Sequence, residues 1–155
     1  MSNSMNTTEI INYIKNAKKT TLSKAYIYGS FGLENKNTDD LKVFGCDKFK
    51  ILIGELDSII KIIENNKDKI EYYHLDIDRR NSKVPLLNYS NINARIEPGA
   101  FIREHVTIGD NAVIMMGAVI NIGASIGRDT MIDMNTVIGG RAEIGSRCIL
   151  VRELL

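Results

Sequence analysis

The sequence predicts a small α/β N-terminal domain followed by a left-handed parallel β-helix. Three observations carry that prediction. An aliphatic residue stands at every sixth position from Ile96 through Ile144 to Leu150, and a small residue lies two positions before each, from Ala94 to Cys148. Three positions after the aliphatic come Gly99, His105, Asn111, Gly117, Gly123, Asp129 and Asn135, all residue types that tolerate a left-handed backbone. A strict period of six fits neither a helix nor a plain amphipathic strand, but it fits short stacked strands with one turn per hexad. Only Arg141 and Arg147 break the turn pattern. On this reading His105 is a turn residue rather than a base.

Domain boundaries are expected at 1–88 for the α/β domain and 89–155 for the repeats. In the first, Asn6 followed by Glu9 reads as a helix start, with Ile10, Ile11, Ile14 and Ala17 on one face. Residues 24–29, 41–45, 49–54 and 70–77 are β-rich runs, separated by glycine and polar turns. Leu56, Ile59, Ile60 and Ile63 mark a second helix between the last two runs. The unit closes near residues 78–82, and His74 in its last strand reads as a satisfied structural histidine. No catalytic motif is visible in this domain.

Composition narrows the function classes. The 20 basic residues nearly cancel 19 acidic ones, which gives no general attraction to nucleic acid or to an anionic membrane. No apolar run is long enough to span a bilayer, and the start lacks the basic-then-apolar order of a secretory signal. Cys46 and Cys148 lie far apart without metal-ligand spacing, so two reduced, packed thiols in a cytoplasmic protein are expected, with no metal.

Three hexads make one coil, so residues eighteen apart share a face. The outward residue before each core aliphatic then sorts into columns: Phe101, Val119 and Val137; Arg95, Val113, Met131 and Ile149; Thr107, Ser125 and Glu143. Two faces are sticky and one is wet. A contact joining two different faces and closing into a ring gives a homotrimer.

The segments DRRNS (78–82), ARIEPGAFIREHVTIGDNAVIMMGAVINIGASIG (94–127) and TMIDMNTVIGGRAEIG (130–145) resemble the tetrahydrodipicolinate N-acetyltransferases, enzymes of diaminopimelate and lysine biosynthesis. The resemblance reaches from the N-terminal unit to Cys148. It implies acetyl transfer from acetyl-CoA to the amino group of ring-opened tetrahydrodipicolinate, a homotrimeric assembly, and acetyl-CoA as the co-substrate. An amine attacking a thioester needs a base and oxyanion donors, and a dicarboxylate substrate calls for arginines or backbone amides. Asp133 in MIDMN matches the acidic residue of the MVD motif in related N-succinyltransferases, which implies a catalytic role. On spacing alone, a surface carboxylate capping a turn is the favoured reading. Arg95 and Arg103 are candidates for holding substrate carboxylates, with Arg79 and Arg80 behind them; each is also readable as a solvated side chain.

Other readings remain: the N-succinyltransferase, a serine or sugar acetyltransferase on the same scaffold, or an inactive trimeric fragment. RIEPGA and DRRNS argue against the serine and sugar enzymes. A γ-class carbonic anhydrase needs three histidine ligands, and the repeats hold only His105. The sequence departs from the family at Lys83, at Arg128-Asp129 and after Cys148. There ILVRELL is the sequence a one-nucleotide deletion would give in a gene encoding HIGAGAV, so a frameshifted tail is expected. A chain of three coils would then show unpaired strand edges at its last coil and little acetyltransferase activity.

Overall fold

A computed structural model describes residues 5–32 and 37–152. Helix α1 (Thr7–Asn16) opens the chain with the expected capping box: Asn6 accepts from the Glu9 N–H, and Glu9 accepts from the Asn6 N–H. Of its expected apolar face, Ile10 is buried, but Ile11 is 60% exposed and Ala17 is the C-cap. The remaining residues divide into two compact units. Residues 18–83 form one; α1 joins residues 84–152 in the other. This division differs from the expected boundary at residue 88, because α1 belongs with the repeats.

In the first unit, β1 (Leu22–Gly29), β2 (Leu41–Gly45), β3 (Phe49–Glu55) and β4 (Ile70–Ile77) form an antiparallel sheet in the order β2-β3-β1-β4. Strict burial alternation along β1 shows why these runs are strands: Ser23, Ala25 and Ile27 face inward, and Lys24 and Tyr26 face out. Helix α2 (Leu56–Asn65) covers the inner face, where Ile59 and Ile63 meet Ala25, Ile27, Phe31, Leu41 and Leu52. The outer face is aromatic, with Tyr28 stacked on Tyr72 at 5.1 Å. His74 lies exposed on that face, its ring 6.3 Å from Tyr26. Cys46 is likewise exposed, not packed, while Cys148 is half-buried; both are free thiols. Backbone bonds between Thr20 and Ser82 close the unit.

The second unit is a parallel β-helix of ten two-residue strands, β5 (Arg95–Ile96) to β14 (Ile149–Leu150), at the predicted spacing of six. They stack as three parallel sheets, β5-β8-β11-β14, β6-β9-β12 and β7-β10-β13, and each register pairs residues eighteen apart. The expected columns therefore exist. Ile102, Ile114, Ile120, Ile126, Ile132 and Ile138 fill the interior with the small residues Ala112, Ala118 and Ala124. Burying each such side chain stabilises by roughly 1.5–3 kcal/mol. Every turn position takes a left-handed backbone, including Arg141 (φ 62°) and Arg147 (φ 59°), so coil stacking overrides residue type there. Ile149 and Leu150 pair with Met131 and Ile132 and continue the ladder. Residues 153–155 of the expected out-of-frame tail lie outside the described residues.

Helix α1 runs along one corner of this prism. His105, Gly123 and Arg141 stack there eighteen residues apart, and three helix residues meet them in descending order. Tyr13 packs edge-on to His105 at 4.7 Å, Ile10 seats against Gly123, and the Thr7 hydroxyl accepts from Arg141 Nη1. Three residues advance an α-helix by about 4.5 Å, close to the ~4.8 Å between stacked strands. Ile10 completes a small core with Val84 and Ile122.

Two outcomes follow from this packing. A Cβ on Gly123 would lie 2.3 Å from Ile10 Cδ1 at a φ of 75°. Gly123→Ala should therefore lower the denaturation midpoint by the equivalent of about 2 kcal/mol through backbone strain and displacement of Ile10. The two buried threonines of the small-residue column should respond oppositely. Thr130 Oγ1 donates to the Gly145 carbonyl at 2.7 Å and accepts from the Cys148 N–H, whereas Thr136 Oγ1 is buried without a partner among the described residues. Thr130→Ala should cost about 1–2 kcal/mol, and Thr136→Ala should leave thermal stability unchanged or raise it.

Candidate active site

The interior of the prism is aliphatic, so polar chemistry must come from outward residues and turns. One corner collects it. Glu97, Met115 and Asp133 each follow a core isoleucine and stack eighteen apart, held by N–H donation from Glu97 to Ile114, from Met115 to Ile132 and from Asp133 to Leu150, at 2.9 Å each. Pro98, Met116 and Met134 form the adjoining column. Met116 and Met134 are each about half exposed, at 48% and 45%. Beneath them, the Asn135 side chain fills the notch left by Gly117, where an added Cβ would lie 2.2 Å from Asn135 Oδ1.

Arg95 projects from β5 onto this corner. Its Nε donates to Glu97 Oε1 at 2.7 Å, and its Nη2 lies 3.4 Å from Met115 Sδ. The guanidinium thus reaches the Met115 level of the column, and Asp133 stands on the next coil, about 4.8 Å further along. Asp133 is half-buried, and among the described residues no hydrogen bond or ion pair engages its carboxylate. The structure therefore places two of the three sequence candidates, Arg95 and Asp133, on one corner.

It does not bring Arg103 to them. Arg103 follows Ile102 on the corner that α1 lines, at the opposite edge of the Phe101–Val119–Val137 face, and its side chain is exposed. Arg79, in the other unit, is engaged by Asp78 through two 2.7 Å bonds, which hold the Asp78 carboxyl below the usual carboxylate range. That unit also holds a cavity of about 440 Å³, lined by Phe31, Phe44, Cys46 and Lys50 among others. The buried Lys50 ammonium is already spent on the Cys46 and Asp47 carbonyls and on the Phe31 ring. Among the described residues no group of three or more potential metal ligands occurs.

Glu97 and Met115 are the residues that sequence reasoning passed over. Alternation places residue 97 on the same side as Arg95, so the pairing could have been read from RIE; the approach of Met115 could not.

A parallel prism of two-residue strands spaced by six is consistent with a left-handed β-helix of hexapeptide repeats. Residues 5–89 match the family model described as tetrahydrodipicolinate succinyltransferase, N-terminal. A 2,3,4,5-tetrahydropyridine-2,6-dicarboxylate N-acetyltransferase of Caldanaerobacter subterraneus subsp. tengcongensis is 60% identical over 114 residues, covering 74% of this chain and 46% of the relative. Proteins of the same name from Thermosipho africanus (60% over 112 residues; 72% and 47%) and Clostridium botulinum strain Alaska E43 (52% over 108 residues; 70% and 45%) are also similar. The chain belongs to the family that this N-terminal model defines, and it spans just under half the length of these relatives.

His105 takes its place in the α1 corner as a turn residue with φ 60°. Its Nε2 lies 3.7 Å from Glu104 Oε2, the oxygen that also accepts from the Tyr13 hydroxyl. That hydrogen bond, with partial burial, raises the Tyr13 phenol above its ordinary value. A raised folded-state pKa contributes stability that is fully present below the unfolded value of about 10 and is lost as pH rises through the folded one. Alkaline titration should show the Tyr13 phenol ionising above its ordinary value, with α1 loosening at the same step. In Tyr13→Phe that step, followed by phenolate absorbance, should vanish together with its share of the alkaline loss of stability.

Proposed function

We propose that this chain contributes to transfer of an acetyl group from acetyl-CoA to the amino group of ring-opened tetrahydrodipicolinate, giving L-2-acetamido-6-oxoheptanedioate. The observation that carries the reading is the 60% identity to relatives named for this acetyl transfer, extending over 74% of the chain. The corner geometry fits the chemistry. Arg95 holds a substrate carboxylate, and Asp133, two coils further along the same corner, accepts the proton of the attacking amine. The amine nitrogen bonds to the thioester carbon, the C–S bond breaks, and coenzyme A leaves as the thiol once protonated. Arg103 reaches the same substrate across a subunit boundary, because it lies on another corner of its own chain. The apolar columns, in which Phe101 is 57% and Val137 72% exposed, support a homotrimer. No helix among the described residues is long and apolar enough to cross a membrane, and a biosynthetic role would fit a cytoplasmic location.

The family model names succinyl and the relatives name acetyl, so the donor is part of the test. The chain is joined to the part of the Caldanaerobacter relative that lies beyond the match, and thiol release is followed with each acyl-CoA. Acetyl-CoA should be preferred at least about tenfold, and Asp133→Asn should lower kcat about 10²-fold. Preference for succinyl-CoA would move the assignment to the N-succinyltransferase, and full activity in Asp133→Asn would remove the base assignment.

A further inference from the structure

We propose that Glu97 is a positioning residue that fixes the Arg95 guanidinium for a substrate carboxylate; the inference rests on the function proposed above. Arg95 is 59% exposed at its side chain, so on its own it would sample many rotamers. Glu97, only 28% exposed, takes the Nε–H at 2.7 Å and turns the head group over Met115. A guanidinium has five N–H donors. With Nε occupied and one Nη2 hydrogen facing a weak thioether acceptor, the two Nη1 hydrogens and the other on Nη2 remain. That outer edge suits end-on, two-point binding of a carboxylate. Met115 separates Glu97 from Asp133 in the column, so Glu97 orients the arginine without standing beside the group that takes the amine proton.

The sign of the effect distinguishes positioning from charge alone. Glu97 carries a negative charge beside the binding edge for an anion. By electrostatics alone, its removal would tighten the binding of a dicarboxylate. If Glu97 acts by ordering Arg95, its removal weakens binding instead, by about three- to tenfold for one released side chain.

The experiment is calorimetric titration of the 155-residue chain with L-2-aminopimelate, a stable amino dicarboxylate, with circular dichroism to show that each variant is folded. Glu97→Ala should weaken binding about three- to tenfold. Glu97→Gln should fall between it and the parent, because the amide oxygen still accepts the Nε–H. In an Arg95→Ala background, Glu97→Ala should add nothing. Unchanged or tighter binding in folded Glu97→Ala would overturn the positioning role alone. Failure of the parent chain to bind the probe would instead overturn the substrate reading, and this inference with it.

Discussion

Hydrogen bonding between strands one coil apart governs the second unit. Bonds such as Phe101 N–H to the Ala118 carbonyl and Val119 N–H to the Thr136 carbonyl, at 2.8 and 2.9 Å, repeat up each sheet. With strands of only two residues, each face holds its register through the faces on either side, which advance together. An insertion of one residue would shift every later aliphatic side chain off the interior. The same stacking dictates the turns, and it holds Arg141 and Arg147 in a left-handed backbone that costs an ordinary side chain roughly 1–2 kcal/mol.

The period of six made most of this architecture legible before any coordinates. Ile96 to Ile144 located the strands, and simple counting sorted Phe101, Val119 and Val137 onto one face. Local propensity and patterning likewise marked the elements of the first unit, because burial alternates cleanly along β1 and β3. What stayed hidden depends on surfaces that meet far apart in sequence. The amphipathy of α1 shows that it covers something, but not that Ile10 seats against Gly123, which reads as one turn glycine among several. Cys46 was expected to be packed, yet it sits on a surface that a residue-type argument cannot assign.

The candidate site shows a similar split. Asp133 was picked out by resemblance and Arg95 by its charge, and their sharing of a corner follows from the eighteen-residue repeat. The bend of Arg95 over the turn toward Met115 needed side-chain geometry. An aliphatic prism offers no interior for catalysis, so its chemistry is confined to the rims of its faces. There one corner carries the Asp133 carboxylate and the Arg95 guanidinium, and Arg103 stands a full face away.

The fit of α1 to its corner also has a built-in reach. Each step of three residues nearly matches the coil height but turns the helix by about 300°, which is about 60° short of a full revolution. Ile10 points straight at the corner, and Thr7 and Tyr13 approach it from opposite flanks. One more step in either direction would carry the next residue around to the solvent side. The helix therefore works as a ruler three divisions long: it can gauge the coils that contain His105, Gly123 and Arg141, and its phase runs out on the fourth.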